Sequence, residues 1–176
     1  MEVLDLPLDG LKLIKPRVHR DGRGFFVESF RQDALAGLPS FVQDNHSRSV
    51  EGTMRGLHFQ TAPGQAKLVR VATGKVFDVA VDIRKDSPTF GKWHGEILDD
   101  VDCAMMFLPV GFAHGFCVLS DTADVLYQCS AYYDPQTEAG FKLDDAEVGV
   151  RWPIDPATAI LSRRDRDAKS FREVFR

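Results

Sequence analysis

The sequence predicts an all-β domain, a sandwich or small barrel with a few short helices, mainly C-terminal. Three observations carry that expectation. From Phe41 to Ile83 the chain reads as successive short strands separated by turns at Glu51-Gly52, Pro63-Gly64 and Thr73-Gly74. Alternation is clean along Phe77–Ile83, with Phe77, Val79, Val81 and Ile83 on one face and Asp78, Ala80 and Asp82 on the other. Only Gln32–Ala36 and Asp165–Val174 read as helical.

The remaining elements follow in order. Leu4, Leu6 and Leu8, then Leu11 and Leu13, recur at period two up to Pro16, which predicts a strand at an edge or exchanged. Asp21-Gly22-Arg23-Gly24 is a turn, and Phe25–Phe30 is a strand rich in aromatic and β-branched residues. Gly37 and Pro39 close the first short helix. Arg84–Gly91 reads as a loop, Trp93–Leu98 as a strand and Asp99–Asp102 as an acidic turn. Met105–Leu108, Gly115–Leu119 and Val125–Tyr133 complete the β series, after which Pro135, Pro153 and Pro156 break regular structure. No repeat, low-complexity tract or linker divides the chain, so residues 1–176 form one domain.

Composition narrows the function. A chain of 176 residues can bury a real core, and its 44% hydrophobic and 27% charged content is that of a globular protein. The net charge of -4 gives no general reason to expect nucleic acid. No apolar run reaches the roughly 18 residues of a membrane span, and no secretory leader pattern opens the chain, which points away from the membrane and to the cytoplasm. Cys103, Cys117 and Cys129 are odd in number and lack zinc-type pairing, so neither a disulfide framework nor a thiolate site is expected. Cys117 and Cys129 sit in apolar runs and read as small core residues.

The polar residues inside strands ask for a reason. Thr53–Gln60 carries Arg55, His58 and Gln60 in a segment that otherwise reads as strand. A turn at Pro109–Gly111 delivers His114 between aromatics and glycines. From residue type alone, His58 and His114 suit a hydrogen-bonded core as well as a site. His19 and His94 read as surface or packing residues. His46 lies in the polar strand Gln43-Asp44-Asn45-His46-Ser47, which reads first as a solvent-facing edge, although Gln43 and Asn45 share a face as an amide pair reading a ligand would. Metal sites in β-barrels use an H-x-H pair, a Glu and a distant His; the pattern is absent, so no metal is expected. Acid–base chemistry asks for a histidine, an orienting carboxylate, an opposing acid and a group that stabilises negative charge. Tyr127 and Tyr133 are read on one strand and hence one face, Lys67 opens a strand and Asp165 follows Leu161–Arg164. Taken singly, Tyr127 and Tyr133 suit packing and Lys67 suits a solvated surface. Arg55 and His58 are three apart, so strict alternation opposes them unless a bulge at Gly56 re-aims one or Arg55 reaches round the rim.

Seven segments then come in one family's order and spacing: Phe41–Ser47, Arg55–Gln60, Lys67–Val69, Phe77–Arg84, Ser87–Gly91, Gly111–Phe116 and Leu161–Asp165. Over residues 5–167 the chain resembles the dTDP-4-dehydrorhamnose 3,5-epimerases. The resemblance implies a cupin-type jelly-roll, no metal or other cofactor and a homodimer. It also implies a dTDP-4-keto-6-deoxysugar substrate, dTDP-4-dehydro-6-deoxy-D-glucose. His58 is implied as base, Asp165 as its partner, Lys67 as stabiliser of the enolate and Tyr127 as acid. Arg23, Glu28, Gln43, Asp44, Asn45, Arg55, His114, Tyr133, Glu138 and Arg164 are implied as substrate-binding, Arg55 at the diphosphate and Tyr133 stacked on thymine. Arg23 and Glu28 would reach the site from a neighbouring subunit, and His114 would pair with Asp78. The sequence departs from the family at Arg164, where a lysine is usual, and at Lys142–Asp145. Other readings are an epimerase of one carbon only, a non-catalytic sugar-nucleotide-binding cupin and, weakest, a metal-dependent cupin oxygenase.

Overall fold

Period-two sequences sort their side chains onto two faces, and here both faces of most strands find a cover. A computed structural model describes residues 1–175. In chain order the strands are β1 (Glu2–Asp5), β2 (Lys12–Lys15), β3 (Val18–Asp21), β4 (Gly24–Val27), β5 (Gln43–Val50), β6 (Met54–Gln60) and β7 (Lys67–Thr73). They continue with β8 (Lys75–Asp82), β9 (Trp93–Asp99), β10 (Met105–Leu108), β11 (Phe112–Val118), β12 (Thr122–Cys129) and β13 (Glu138–Gly140). Two short helices follow, α1 (Arg163–Arg166) and α2 (Phe171–Phe175). One antiparallel sheet runs β1-β2-β10-β7-β12-β5, a second runs β13-β6-β11-β8-β9, and β3–β4 stands as a separate hairpin. The expected all-β sandwich is what forms. No described helix is long and apolar enough to cross a membrane.

Three apolar layers result. Val69, Val71, Val76, Ala80, Met106, Phe112, Phe116 and Val125 fill the space between the sheets. The proline-rich C-terminal stretch covers the outer face of the second sheet, where Phe141, Leu143 and Phe171 pack on Met54, Leu57, Phe59, Val79 and Val81. Leu35, from the 3-10 turn Gln32–Leu35, packs with Ile14, Leu68 and Phe107 outside the first sheet. Double cover explains why the polar side of β8 is not solvated: Asp78 and Asp82 are both fully buried.

Several expectations need correction. The N-terminal period-two run is a hairpin, not one strand: β1 pairs with β2, and β1 is the edge. The helix expected over Asp165–Val174 is broken into α1 and α2, because the chain between them extends and the Lys169 carbonyl accepts from the Lys142 N–H. Tyr133 is not in the strand of Tyr127, since β12 ends at Cys129.

Buried Asp82 ties the loop after β8 to the sheet. It accepts from Arg84 Nε at 2.9 Å, Ser87 Oγ at 2.6 Å and Thr89 Oγ1 at 2.6 Å. Burial alone would raise its pKa, but these bonds outweigh it and hold the carboxyl at about 2. A depressed folded-state pKa contributes stability above the unfolded value, which is lost as pH falls through the folded one. Asp82→Asn should therefore lower the denaturation midpoint at neutral pH. Its deficit against the parent protein should shrink between pH 4 and pH 2, as followed by urea titrations across that range.

Candidate active site

The site grows from one irregularity in β6. Across β6 and β11, His114 pairs with His58 while Phe116 pairs with Arg55, so β6 carries one extra residue. Gly56 sits there with φ 123, and the Gly56–Leu57 peptide is cis. Met54 and Leu57, three apart, both pack into the outer core. Arg55 and His58 are thereby both released to the opposite side and line one cleft. The sequence had left two routes for Arg55 to the pocket, and the bulge is the one taken.

The cleft lies between the two sheets and has a volume of about 640 Å³, within the range of small-molecule sites. A second lobe of about 280 Å³ shares His58, Lys67 and Tyr127 as walls. These three therefore stand between the lobes. Ser47, Ser49, Arg55 and His114 line the larger lobe; Gln43, Asn45, Gln60, Tyr133 and Glu138 line the smaller. His58 comes from β6 in the second sheet, whereas Lys67 and Tyr127 come from β7 and β12 in the first. The histidine thus faces the tyrosine and lysine across the sandwich.

His58 Nε2 lies 2.6 Å from Asp165 Oδ1, and the Asp165 side chain is only 3% exposed. Ser162 caps α1 by accepting from the Asp165 N–H, which fixes the carboxylate's approach. Burial pushes the Asp165 pKa up, but the His58 bond and the Ser162 bond prevail and hold it below the usual carboxylate value. An ionised Asp165 requires a neutral His58 to carry its proton on Nε2, which leaves Nδ1 as a free base directed elsewhere. Burial raises the Tyr127 phenol above its ordinary pKa, with Cys129 adding to the effect, so it holds its proton at neutral pH. Burial also lowers the Lys67 ammonium, opposed in part by Cys129, Glu138 and Asp78; its Nζ lies 5.8 Å from the Tyr127 ring centre.

His114 is buried beside them, its ring 6.4 Å from that of Tyr127. Its Nε2 lies 2.8 Å from Asp78 Oδ2, the pairing expected from the sequence. Arg55 donates from Nε to Ser49 Oγ at 3.0 Å, which leaves its two terminal nitrogens for a ligand. Gln43 Nε2 donates to Asn45 Oδ1 at 3.0 Å, and Gln43 Oε1 accepts from the Tyr133 N–H at 2.8 Å. Tyr133 therefore joins the cleft from the loop after β12, half exposed, with its hydroxyl bonded to Glu138 at 2.6 Å. Glu138 also takes Arg164 at 2.6 Å.

Other expected site residues are not gathered. Asp44 is exposed on the face of β5 opposite Gln43 and Asn45 and does not line the cleft, because alternation turns it outward. Arg23 is exposed and bonds Asp21, and Glu28 meets Arg31 at 3.6 Å; neither lines the cleft of its own chain. His46 faces outward and bonds Asp124 with Arg48, and His94 bonds Glu96. Ser47, Ser49 and Ser162 were not foreseen. The first two share the parity of Gln43 and Asn45 along β5, a signal the sequence did carry. Ser162 stands at an N-cap position, three residues before Asp165.

A jelly-roll sandwich with a histidine–carboxylate pair facing a tyrosine and a lysine defines a cupin-type protein with an acid–base cleft. Residues 5–173 match the family described as dTDP-4-dehydrorhamnose 3,5-epimerase, and the chain belongs to that family. A Neisseria gonorrhoeae relative of that name is 48% identical over 99% of this chain, which spans only 54% of the relative's length. The Pseudomonas aeruginosa relative of that name is 47% identical over 99% of this chain and 98% of its own. A solved dTDP-6-deoxy-D-glucose-3,5-epimerase from Legionella pneumophila, in complex with dTDP-4-keto-L-rhamnose, is 46% identical with a TM-score of 0.91, covering 96% of this chain and 92% of that one. A 3'-monoepimerase from Streptomyces bikiniensis, in complex with dTDP-quinovose, is 34% identical with a TM-score of 0.87, covering 94% and 85%.

The bulge makes its own test. A Cβ built on Gly56 would sit 2.5 Å from Gly115 Cα and 2.7 Å from the His114 carbonyl, at a φ that L-residues avoid. Gly56→Ala should cost about 1–3 kcal/mol in a denaturant titration, and should reduce ligand binding along with stability because it disturbs Arg55 and His58 together.

Proposed function

We propose that the chain epimerises dTDP-4-dehydro-6-deoxy-D-glucose at carbons 3 and 5, giving dTDP-4-dehydro-L-rhamnose, in the cytoplasm and as part of dTDP-L-rhamnose synthesis. The observation that carries this reading is the division of the acid and the base between facing sheets, His58 on β6 and Tyr127 on β12. The cleft between those sheets, about 640 Å³, has room for a sugar ring between the two side chains.

The chemistry follows from the groups in place. The ketone at carbon 4 acidifies the C–H bonds at carbons 3 and 5. His58 Nδ1 takes the proton, and the imidazolium formed is stabilised by ionised Asp165. The electron pair moves to the carbonyl oxygen. Lys67 supplies positive charge to that oxygen in a partly desolvated setting, where charge counts for more than in water. Tyr127 returns a proton to carbon from the opposite face, the ketone re-forms and the centre is inverted. The same pair serves both carbons once solvent has taken the proton from His58 and returned one to Tyr127 and the ring is re-presented between the two steps.

The nucleotide lies across the mouth in this reading. Tyr133 offers a half-exposed ring for the thymine in the smaller lobe. Arg55 offers two guanidinium nitrogens to the diphosphate in the larger one, and the sugar descends between the lobes toward Lys67. The active form in this reading is a homodimer whose β3–β4 hairpins each lend Arg23 and Glu28 to the other copy's cleft. Phe25 and Phe26, 51% and 71% exposed on β4 of that hairpin, support it as apolar surface awaiting cover.

NMR of the substrate in D₂O with the protein tests the assignment. Deuterium should enter at carbons 3 and 5 and the L-configured product accumulate; exchange at one carbon alone would mark a single-carbon epimerase, and no exchange would mark a binding protein. His58→Ala should lower kcat by about 10²–10⁴-fold with the fold intact, and unchanged exchange in it would remove His58 from the role of base. Tyr127→Phe should still exchange deuterium on the face of His58 while inversion is lost. Arg55→Met should weaken dTDP binding by roughly tenfold or more, the worth of a charged hydrogen bond, as read by calorimetry.

A further inference from the structure

Asp165 rides on a helix of a single turn, and such a helix has little stability of its own. Something outside it must hold the carboxylate in line with His58. Ser162 fixes the backbone of the turn. The second tie is the ion pair from Arg164 to Glu138 at 2.6 Å. Glu138 is on β13, and β13 is paired to β6, with Glu138 opposite Gln60 and Gly140 opposite His58. The bonds close a ring: His58 to Asp165, Asp165 to its neighbour Arg164, Arg164 to Glu138, and Glu138 through the sheet back to His58.

We propose that Arg164 is a positioning residue whose ion pair with Glu138 anchors α1 to β13 and so holds Asp165 against His58, instead of a residue that grips the substrate. The inference rests on the reading of His58 as the catalytic base. Glu138 Oε2 also accepts the Tyr133 hydroxyl at 2.6 Å, so the same carboxylate links the proposed nucleobase platform to the base. Burial would raise the Glu138 pKa, but Arg164 and Tyr133 hold it below its ordinary value, which keeps the anion available to both partners.

The electrostatic sign can be worked out. The charged and titratable groups that share the cleft with His58 are Asp165 and Arg164 from α1, Glu138 from β13, His114 from β11, Lys67 from β7, Tyr127 from β12, Arg48 from β5 and Tyr133 from the loop after β12, with Arg55 on its own strand. Removing Arg164 deletes a cation and leaves the Glu138 anion uncompensated. Both charge changes favour the imidazolium, but an Asp165 carboxylate drawn away from direct contact with His58 disfavours it more strongly, so a lost anchor should make His58 titrate at lower pH against the charge change.

Three variants and two readouts decide the matter. In Arg164→Met the His58 ring signals, followed by NMR against pH in the ligand-free protein, should titrate at lower pH than in the parent. The acidic limb of kcat/KM should move the same way, and kcat should fall about tenfold from a loosened Asp165 while KM barely changes. Arg164→Lys should restore kcat, since an ammonium keeps the charge and can still meet a carboxylate. Glu138→Gln breaks the same tie from the other side: kcat should fall again, and the His58 titration should move further down because an anion has been lost as well. A rise in KM at constant kcat, with the His58 titration unmoved or raised in Arg164→Met, would overturn the proposal and make Arg164 a substrate contact. If Arg164→Met does not fold, Glu138→Gln decides alone, and an undiminished kcat there overturns it equally. The ring titration needs no turnover, so a parent protein inactive as an epimerase would refute the proposed function while leaving the anchoring role open to measurement.

Discussion

Two glycine backbones set the geometry on which the cleft depends. A Cβ on Gly56 would meet Gly115 Cα, and a Cβ on Gly115 would lie 2.8 Å from the Arg55 carbonyl. β6 and β11 can come this close only because neither residue carries a side chain. The close approach coincides with the extra residue in β6, and that residue turns Arg55 and His58 to the same side while Met54 and Leu57 stay in the outer core. A regular ladder would have buried one functional group or exposed one core residue. A local packing choice thus supplies two differently charged groups to one cleft from one strand.

Much of the sandwich was legible because its signals are local. Glycine and proline turns separate β5 from β6, β6 from β7 and β7 from β8 where the sequence indicates. The alternation in β8 also sorts as read, Val79 and Val81 to the outer core and Val76 and Ala80 to the inner. What sequence could not give was which polar faces would be covered. Asp78 falls on the polar side of β8 by pattern, and a whole sheet lies over it. Tyr133 has strand character and reaches the cleft all the same, but as a loop residue held by Gln43 and Glu138. Asp44 sits between two lining residues in sequence and points away from both in space, so a motif carried over as a block includes a residue that the pleat excludes. The Asp165–Val174 segment has helical composition, but its middle is spent on a backbone bond to Lys142.

Charge inside the sandwich is unevenly settled. Asp82 is surrounded by donors and serves the fold. Asp78, equally buried, has one oxygen on His114 and the other without a hydrogen-bond partner among the described residues. A buried carboxylate so poorly solvated depends on nearby positive charge. Lys67 senses Asp78 and Glu138 through space while touching neither, and it bears the cost of its own desolvation. The field at the centre of the cleft is thus built from charges held at a distance, a setting in which new negative charge on a bound molecule is compensated without rearrangement.

The half-exposed ring of Tyr133 lies off the strands, on the loop after β12, whereas His58, Lys67 and Tyr127 are all strand residues. Loops tolerate insertion and exchange far better than ladder positions do. The two halves of the site are therefore open to substitution to different degrees. A lineage can retune which nucleotide or sugar it accepts by rewriting a few surface residues, and the proton-transfer machinery beneath is inherited unchanged. An engineer seeking a different substrate has the same freedom, and the place to exercise it is the loop from Ser130 to Thr137.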